Sequence, residues 1–312
     1  MKKCILLILA SLATSTQAFT MEAFVSEGSR NCFGFDSITT IGVGGGYRQD
    51  CINWKTLPNS PTIDTSISES WKNVSMGVVE VGAQVIACDH YLVGAYFDYG
   101  LFDNSGSQHV KDHSLTTPSL SSSSLDLTSD LHAKTKGHAY DLSGGVGYQF
   151  HWNCYQYALT PLIGWNYSFQ KFVNSKYSNA LDPNAAVVES HNKYRFRWNG
   201  PFFGFSTAFH ISCDWQVAFT YAFHWAKYQM KIHENFAVDA LRGNQHCGNI
   251  IGNEFNLSTS YQFCEDWLLA IDLDYKEMSG SKGKMHFESG SAPLRNLNWT
   301  TWSASVDVAY LF

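Results

Sequence analysis

The chain has 312 residues, of which 45% are hydrophobic, 15% aromatic and 15% charged, and its formal net charge is −6. Many aromatics with few charges exclude a disordered chain, which needs the reverse, and the acidic balance argues against a nucleic-acid partner. Beyond the first twenty residues no apolar run approaches the roughly 18 residues of a membrane-spanning helix. Apolar content spread so evenly predicts an all-β protein.

The chain opens with Lys2 and Lys3, an apolar run from Cys4 to Ala13, and the small-residue triplet Thr16-Gln17-Ala18. This pattern predicts a secretory signal peptide over 1–18, cleaved after Ala18. Residues 19–36 are expected to form a periplasmic N-terminal segment, and 37–312 the folded body. Loss of two lysines takes the mature chain to 19 basic and 27 acidic residues, a formal charge of −8.

From residue 37 onward, runs of about ten residues alternate apolar with small or polar types. A period of two gives a strand two chemically different faces. The runs are 38–48, 75–87, 91–101, 138–152, 155–170, 202–212, 215–225, 255–263, 267–276 and 299–312. In the seventh, Trp215, Val217, Phe219, Tyr221, Phe223 and Trp225 share one face, and Gln216, Ala218, Thr220, Ala222 and His224 the other. The last places Trp302, Ala304, Val306, Val308, Tyr310 and Phe312 against Thr301, Ser303, Ser305, Asp307 and Ala309. A soluble sandwich also alternates, but it would bury its aromatics beneath a strongly charged exterior, and the charges are too few. An outer-membrane barrel turns its apolar side chains to lipid and its polar ones to the lumen. The fold expected is therefore a closed antiparallel transmembrane β-barrel of about ten strands, ending on Phe312, the residue type such barrels present for assembly.

Connections alternate in length. Short turns fall at Cys88-Asp89-His90, Asn153-Cys154, Ser212-Cys213-Asp214 and Cys264-Glu265-Asp266. Long ones are expected over 49–74, 102–137, 171–201, 233–254 and 277–298. Barrels of this kind have short periplasmic turns and longer outer loops, so the five long segments are expected outside the cell. Each short turn carries a cysteine: Cys88, Cys154, Cys213 and Cys264. Without Cys4 the chain holds seven cysteines, an odd number, which in an exported protein leaves a free or intermolecular thiol. Coincidence or local packing accounts for the four turn thiols, and so do disulfides to neighbouring envelope proteins. No Cys/His spacing suits a metal, and neither metal nor cofactor is expected.

The segments AYDLSGGVGYQ (Ala139 to Gln149), LIGWNYSFQK (Leu162 to Lys171), RFRWNGPFFGF (Arg195 to Phe205) and GNEFNLSTSYQFCEDWLLAIDLDYKEMSGSKGK (Gly252 to Lys284) precede the final aromatic strand. In order, spacing and strand count they resemble the omptins, the ten-stranded outer-membrane aspartyl proteases, over most of the mature chain. The cysteine-bearing turns are also similar to those of outer-membrane proteins of chlamydia-like bacteria. The omptin resemblance implies an Asp pair on one wall of an extracellular cleft and an Asp-x-His pair on the other, polarising a water that attacks the peptide. His233 matches the histidine, but Lys231 stands where its acidic partner belongs. Val110-Lys111-Asp112-His113 offers Asp112 without a second aspartate. A shifted alignment recruits Asp112, Glu234 or Asp239, yet none restores both pairs. The resemblance thus implies the scaffold without an intact peptidase site.

By parity, Glu80, Asp98, Asp141, His210, His224, Asp272, Asp274 and Asp307 face the lumen, together with Arg48 and Lys276. Asp272 and Asp274 form an acidic dyad suited to catalysis or a cation path. Hydrogen-bonded pairing within a narrow polar lumen is the alternative, since buried charge must be paired. Lys171, Arg195 and Arg197 cluster near the outer strand ends, suited to lipopolysaccharide phosphates or to ordinary solvation. Expected partners are outer-membrane lipid and lipopolysaccharide, the barrel-insertion machinery and disulfide-linked envelope proteins. Three functions follow: a surface barrel that is structural, adhesive or receptor-like; a narrow pore, since ten strands enclose little more than the filled interior of eight; and an omptin-type endopeptidase with a rearranged site.

Overall fold

The computed structural model describes residues 37–88, 90–152, 156–179, 188–233, 245–287 and 290–312, except 57–64, 104 and 117–123. The expected signal peptide and the 19–36 segment lie outside the described residues, as do Cys32 and Cys154.

Among the described residues twelve strands run in chain order: β1 (Ser37–Thr56), β2 (Thr65–Ala87), β3 (Tyr91–Phe102), β4 (Ser107–Thr116), β5 (Ser124–Tyr148), β6 (Phe150–Trp152), β7 (Tyr157–Asn179), β8 (Val188–His210), β9 (Trp215–His233), β10 (Gln245–Cys264), β11 (Trp267–Phe287) and β12 (Gly290–Leu311). All ladders are antiparallel between neighbours in the wall, and β1 pairs β12 from Thr40↔Leu311 to Thr56↔Leu294, closing the cylinder. The protein is therefore an all-β, closed ten-stranded barrel. Two of the twelve pieces add no place to the wall. Strand β4 pairs the upper part of β2 where β3 pairs the lower part, so the two are one interrupted wall strand. Strand β6 continues the line of β5 against β7.

The short turns gather at one end. At the first, His90 N donates to Ala87 O over 3.2 Å, and Cys88 takes a left-handed φ of 52°, a conformation uncommon outside glycine and asparagine. Phe312 N donates to Thr39 O, tying the carboxy-terminal end to β1.

The outward face of the lower barrel is apolar. Val43, Val79, Val93, Ile163, Phe203, Ile271 and Val306 are all exposed there. Aromatic residues bound this band on both sides, with Tyr157, Trp215 and Trp267 below and Trp165, Trp225 and Trp302 above. Trp215 and Trp225 stand ten residues apart on β9. At about 3.3 Å per residue and a tilt near 40° they are separated by about 25 Å, the height of the apolar band of an outer-membrane barrel.

The segments expected as long loops are largely strand. Residues 49–56, 65–74, 107–116, 124–137, 171–179, 188–201, 245–254 and 277–287 all belong to the wall. The barrel continues upward past the lipid band, and in this upper half the polarity of its two faces is reversed. On β9, Tyr228, Met230 and Ile232 are buried, whereas Lys227, Gln229, Lys231 and His233 are exposed. One contiguous apolar core fills the upper interior, including Trp54, Trp71, Phe172, Tyr194, Phe196, Trp198, Tyr228 and Trp299.

Candidate functional site

The interior has two storeys, with Trp299 between them. Arg48 anchors the lower one. Its Nε donates to Asp50 Oδ1 over 3.0 Å and its Nη1 to Asp141 Oδ2 over 2.7 Å, and Asp98 Oδ2 lies 3.6 Å away. Gln170 Nε2 donates to Asp50 Oδ2 over 2.6 Å, and the Asp141 backbone N donates to Asp98 Oδ1. The guanidinium thus joins β1, β3 and β5, and Asp50 carries the link on to Gln170 of β7. Across the lumen, Glu254 Oε2 lies 2.6 Å from Lys276 Nζ and 2.8 Å from His224 Nε2, linking β9, β10 and β11. Such groups stay charged away from water only with close counter-charges.

Below these clusters Glu80, Asp272, Asp274 and Asp307 are buried. Glu80 and Asp307 flank Gly44 across the two ladders of β1. A Cβ on Gly44 would lie 1.6 Å from Asp307 Oδ1, so glycine there makes room for the carboxylate. His210 is half-buried at the foot of β8, where its backbone N donates to Gln156 O. Asp272 and Asp274 sit on one strand within the lipid-band section, beneath the aromatic storey.

Trp299 caps the ionic storey. Arg48 Cζ and Lys276 Nζ lie 5.8 Å and 5.9 Å from its ring centroid, within range of cation–π attraction. Its ring also stacks on Trp198 at 4.5 Å and 26°, and Trp198 in turn stacks on Phe196 at 5.7 Å and 11°. Trp71 meets Phe172, Tyr194 and Phe196 within 5.8 Å. All of these rings are nearly or completely buried. A buried polar patch interrupts them, in which Gln108 Nε2 donates to Glu69 Oε2 and Asn174 Nδ2 donates to Gln108 Oε1.

Near the top of the core, His246 is buried, with its ring edge-on to Trp54 at 4.6 Å. Burial, with a smaller contribution from the charge of His286, pushes its imidazole down to about 3.

The outer surface of the upper storey is basic. Lys171 is half-buried and Arg195 and Arg197 are exposed, with Arg197 Cζ 5.8 Å from the Phe169 ring. Around the barrel, Lys227, Lys284 and Arg295 line a groove of about 530 Å³ together with Gly248 and Gly283. At the opposite end Cys88, Cys213 and Cys264 are exposed free thiols.

The two residues carried over from the omptin pattern are not brought together. His233 occupies the outward row of β9, opposite Lys193 of β8. Asp112 pairs with Ile67 and Ser129 on the far side of the wall, and its side chain lies outside the described residues. The inward position beside His233 is Ile232. Sequence reasoning missed Asp50, Glu69 and Glu254, because each lies in a segment read as loop. The alternation continuing through 245–254 is the signal that would have found Glu254.

A closed barrel with an aromatic-bounded apolar band and a polar lower lumen is an integral protein of the bacterial outer membrane. The chain belongs to the Pom family, the Protochlamydia outer membrane proteins, whose pattern it matches over residues 42–312. No curated protein matches it. Among solved structures it is similar to the outer membrane protease OmpT from Escherichia coli, with a TM-score of 0.69 at 11% identity, over 90% of this chain and 99% of that one. The translocator domain of the autotransporter NalP from Neisseria meningitidis gives 0.36 at 11% identity, over 90% of each chain. The toluene transporter TodX from Pseudomonas putida gives 0.35 at 10% identity, over 96% and 95%. At such identities the likeness to OmpT is one of fold.

Proposed function

We propose that the protein is a sealed, non-enzymatic surface barrel, whose rigid upper storey presents recognition loops to the cell exterior. The observation that carries this reading is the aromatic layer around Trp198 and Trp299, which fills the interior above the ionic network. A peptidase of omptin type needs acid and histidine pairs facing each other across an open cleft, and here His233 points away from the interior. The basic residues above the lipid band, Lys171, Arg195 and Arg197 among them, suit contact with lipopolysaccharide phosphates in the outer leaflet. The exposed thiols Cys88, Cys213 and Cys264 suit disulfides to envelope proteins at the periplasmic rim. Non-reducing electrophoresis of oxidised envelopes tests the thiols, with monomer alone as the contrary result.

Planar-bilayer recording of refolded protein tests the seal. The wild type is expected to be silent, and stepwise conductance would overturn the reading. One observation favours a second reading, a gated narrow pore: the lower lumen is lined by charged and hydroxyl side chains up to the aromatic layer, more polarity than mere filling requires. That reading predicts a silent wild type and conductance in a Trp198→Ala, Trp299→Ala double variant.

A further inference from the structure

Met230, His246 and Met285 form one row across three adjacent wall strands. His246 of β10 is the direct register partner of Met230 on β9 and of Met285 on β11. All three point inward and are buried, at 0%, 0% and 2% exposure. Side chains directly opposite on neighbouring strands stand about 4.5–5.5 Å apart at Cβ, and methionine's three rotatable bonds let its sulfur turn toward a shared point. Both ring nitrogens of His246 lack a hydrogen-bond partner. An imidazole serving only as filler in an apolar core would be better replaced by phenylalanine or leucine, which carry no such orphaned atoms. Two thioethers are soft ligands, an imidazole suits copper, and the row holds no carboxylate. They select monovalent copper and discriminate against magnesium or calcium, which want oxygen. The Trp54 ring lies perpendicular to the imidazole at 4.6 Å.

We propose that Met230, His246 and Met285 bind one Cu(I) ion in the extracellular half of the barrel, as a three-coordinate thioether–imidazole site. Each ligand lies within three residues of the outer end of its strand. A search for cysteine and histidine spacings does not find such a site, since its ligands are strand partners far apart in sequence.

The test uses the refolded full-length barrel in detergent micelles, with Ag(I) as a redox-inert probe for Cu(I). The described cysteines Cys51, Cys88, Cys213, Cys247 and Cys264 are free, so all thiols are first alkylated. With methionine methyl groups labelled with carbon-13, one equivalent of Ag(I) should shift the Met230 and Met285 resonances and leave Met76 unmoved. A Met230→Leu, Met285→Leu double variant should lose the binding while keeping the heat-modifiable migration of a folded barrel. Uptake of one equivalent by that variant, or titration of the wild type without movement of either methyl, overturns the proposal. If the double variant does not fold, Met285→Leu alone and the wild-type spectrum decide between the same outcomes. Neither result bears on conductance, so failure here is separable from failure of the sealed-barrel reading.

Discussion

The lower and upper halves of this barrel share the same ten wall strands and bury opposite things. In lipid, the apolar row faces out because hydrocarbon is the solvent, and the interior must be polar and fully paired. Above Trp225 the solvent outside is water, so the same strand turns lysine and glutamine outward and buries Tyr228, Met230 and Ile232. The lower half is held by charge pairing around Arg48 and Glu254. The upper half is held by aromatic packing, as in a soluble protein's core. Trp299 belongs to both, with two cations beneath it and Trp198 above. The medium surrounding each stretch decides which row is buried.

The contrast breaks most severely at the two anchors. Arg48→Ala leaves Asp50, Asp98 and Asp141 buried beside one another without their shared cation. The cost expected is about 3–5 kcal/mol, read from urea unfolding in lipid vesicles. Trp198→Ala opens a cavity between Trp299, Phe196 and Tyr228. It should cost a similar amount, about 3–5 kcal/mol, and should loosen the upper half first. Hydrogen exchange should then rise in the outer ends of β8 and β9 while the lipid-band sections stay protected. Ile271→Arg, near the middle of the lipid-facing band, is expected to cost about 2–4 kcal/mol. The same vesicle assay should show Gln229→Ala, an outward position above the band, to be within about 0.5 kcal/mol of wild type. Equal effects of the last two would mean that the band is placed wrongly on the strands.

The lipid-embedded half was legible in the sequence, because its apolar phase holds for the whole crossing, as from Trp215 to Trp225. The upper half was not, because the apolar phase jumps by one residue at the water boundary. After Trp225 the apolar positions are 228, 230 and 232, and on β12 they pass from Trp302 to Trp299 and Leu297. A shift of phase reads like the end of a strand, so the five extensions looked like loops. Parity within the crossings placed Arg48 and Asp98 on the inner face. Asp50, the partner of Arg48, and Gln170, which donates to Asp50, stand at or beyond the ends of the runs, and the pairing of Arg48 with Asp141 spans 93 residues, which no local pattern encodes.

A cysteine scan along β9 from 216 to 232, on a chain with its native cysteines replaced, tests the reversal most directly. The account predicts that positions 217, 219, 221 and 223 react only with a membrane-soluble maleimide, that 227, 229 and 231 react readily with a charged, water-soluble one, and that 228 and 230 react with neither. Rapid labelling of 228 and 230 by the water-soluble reagent would mean a flooded upper interior, and would contradict the account.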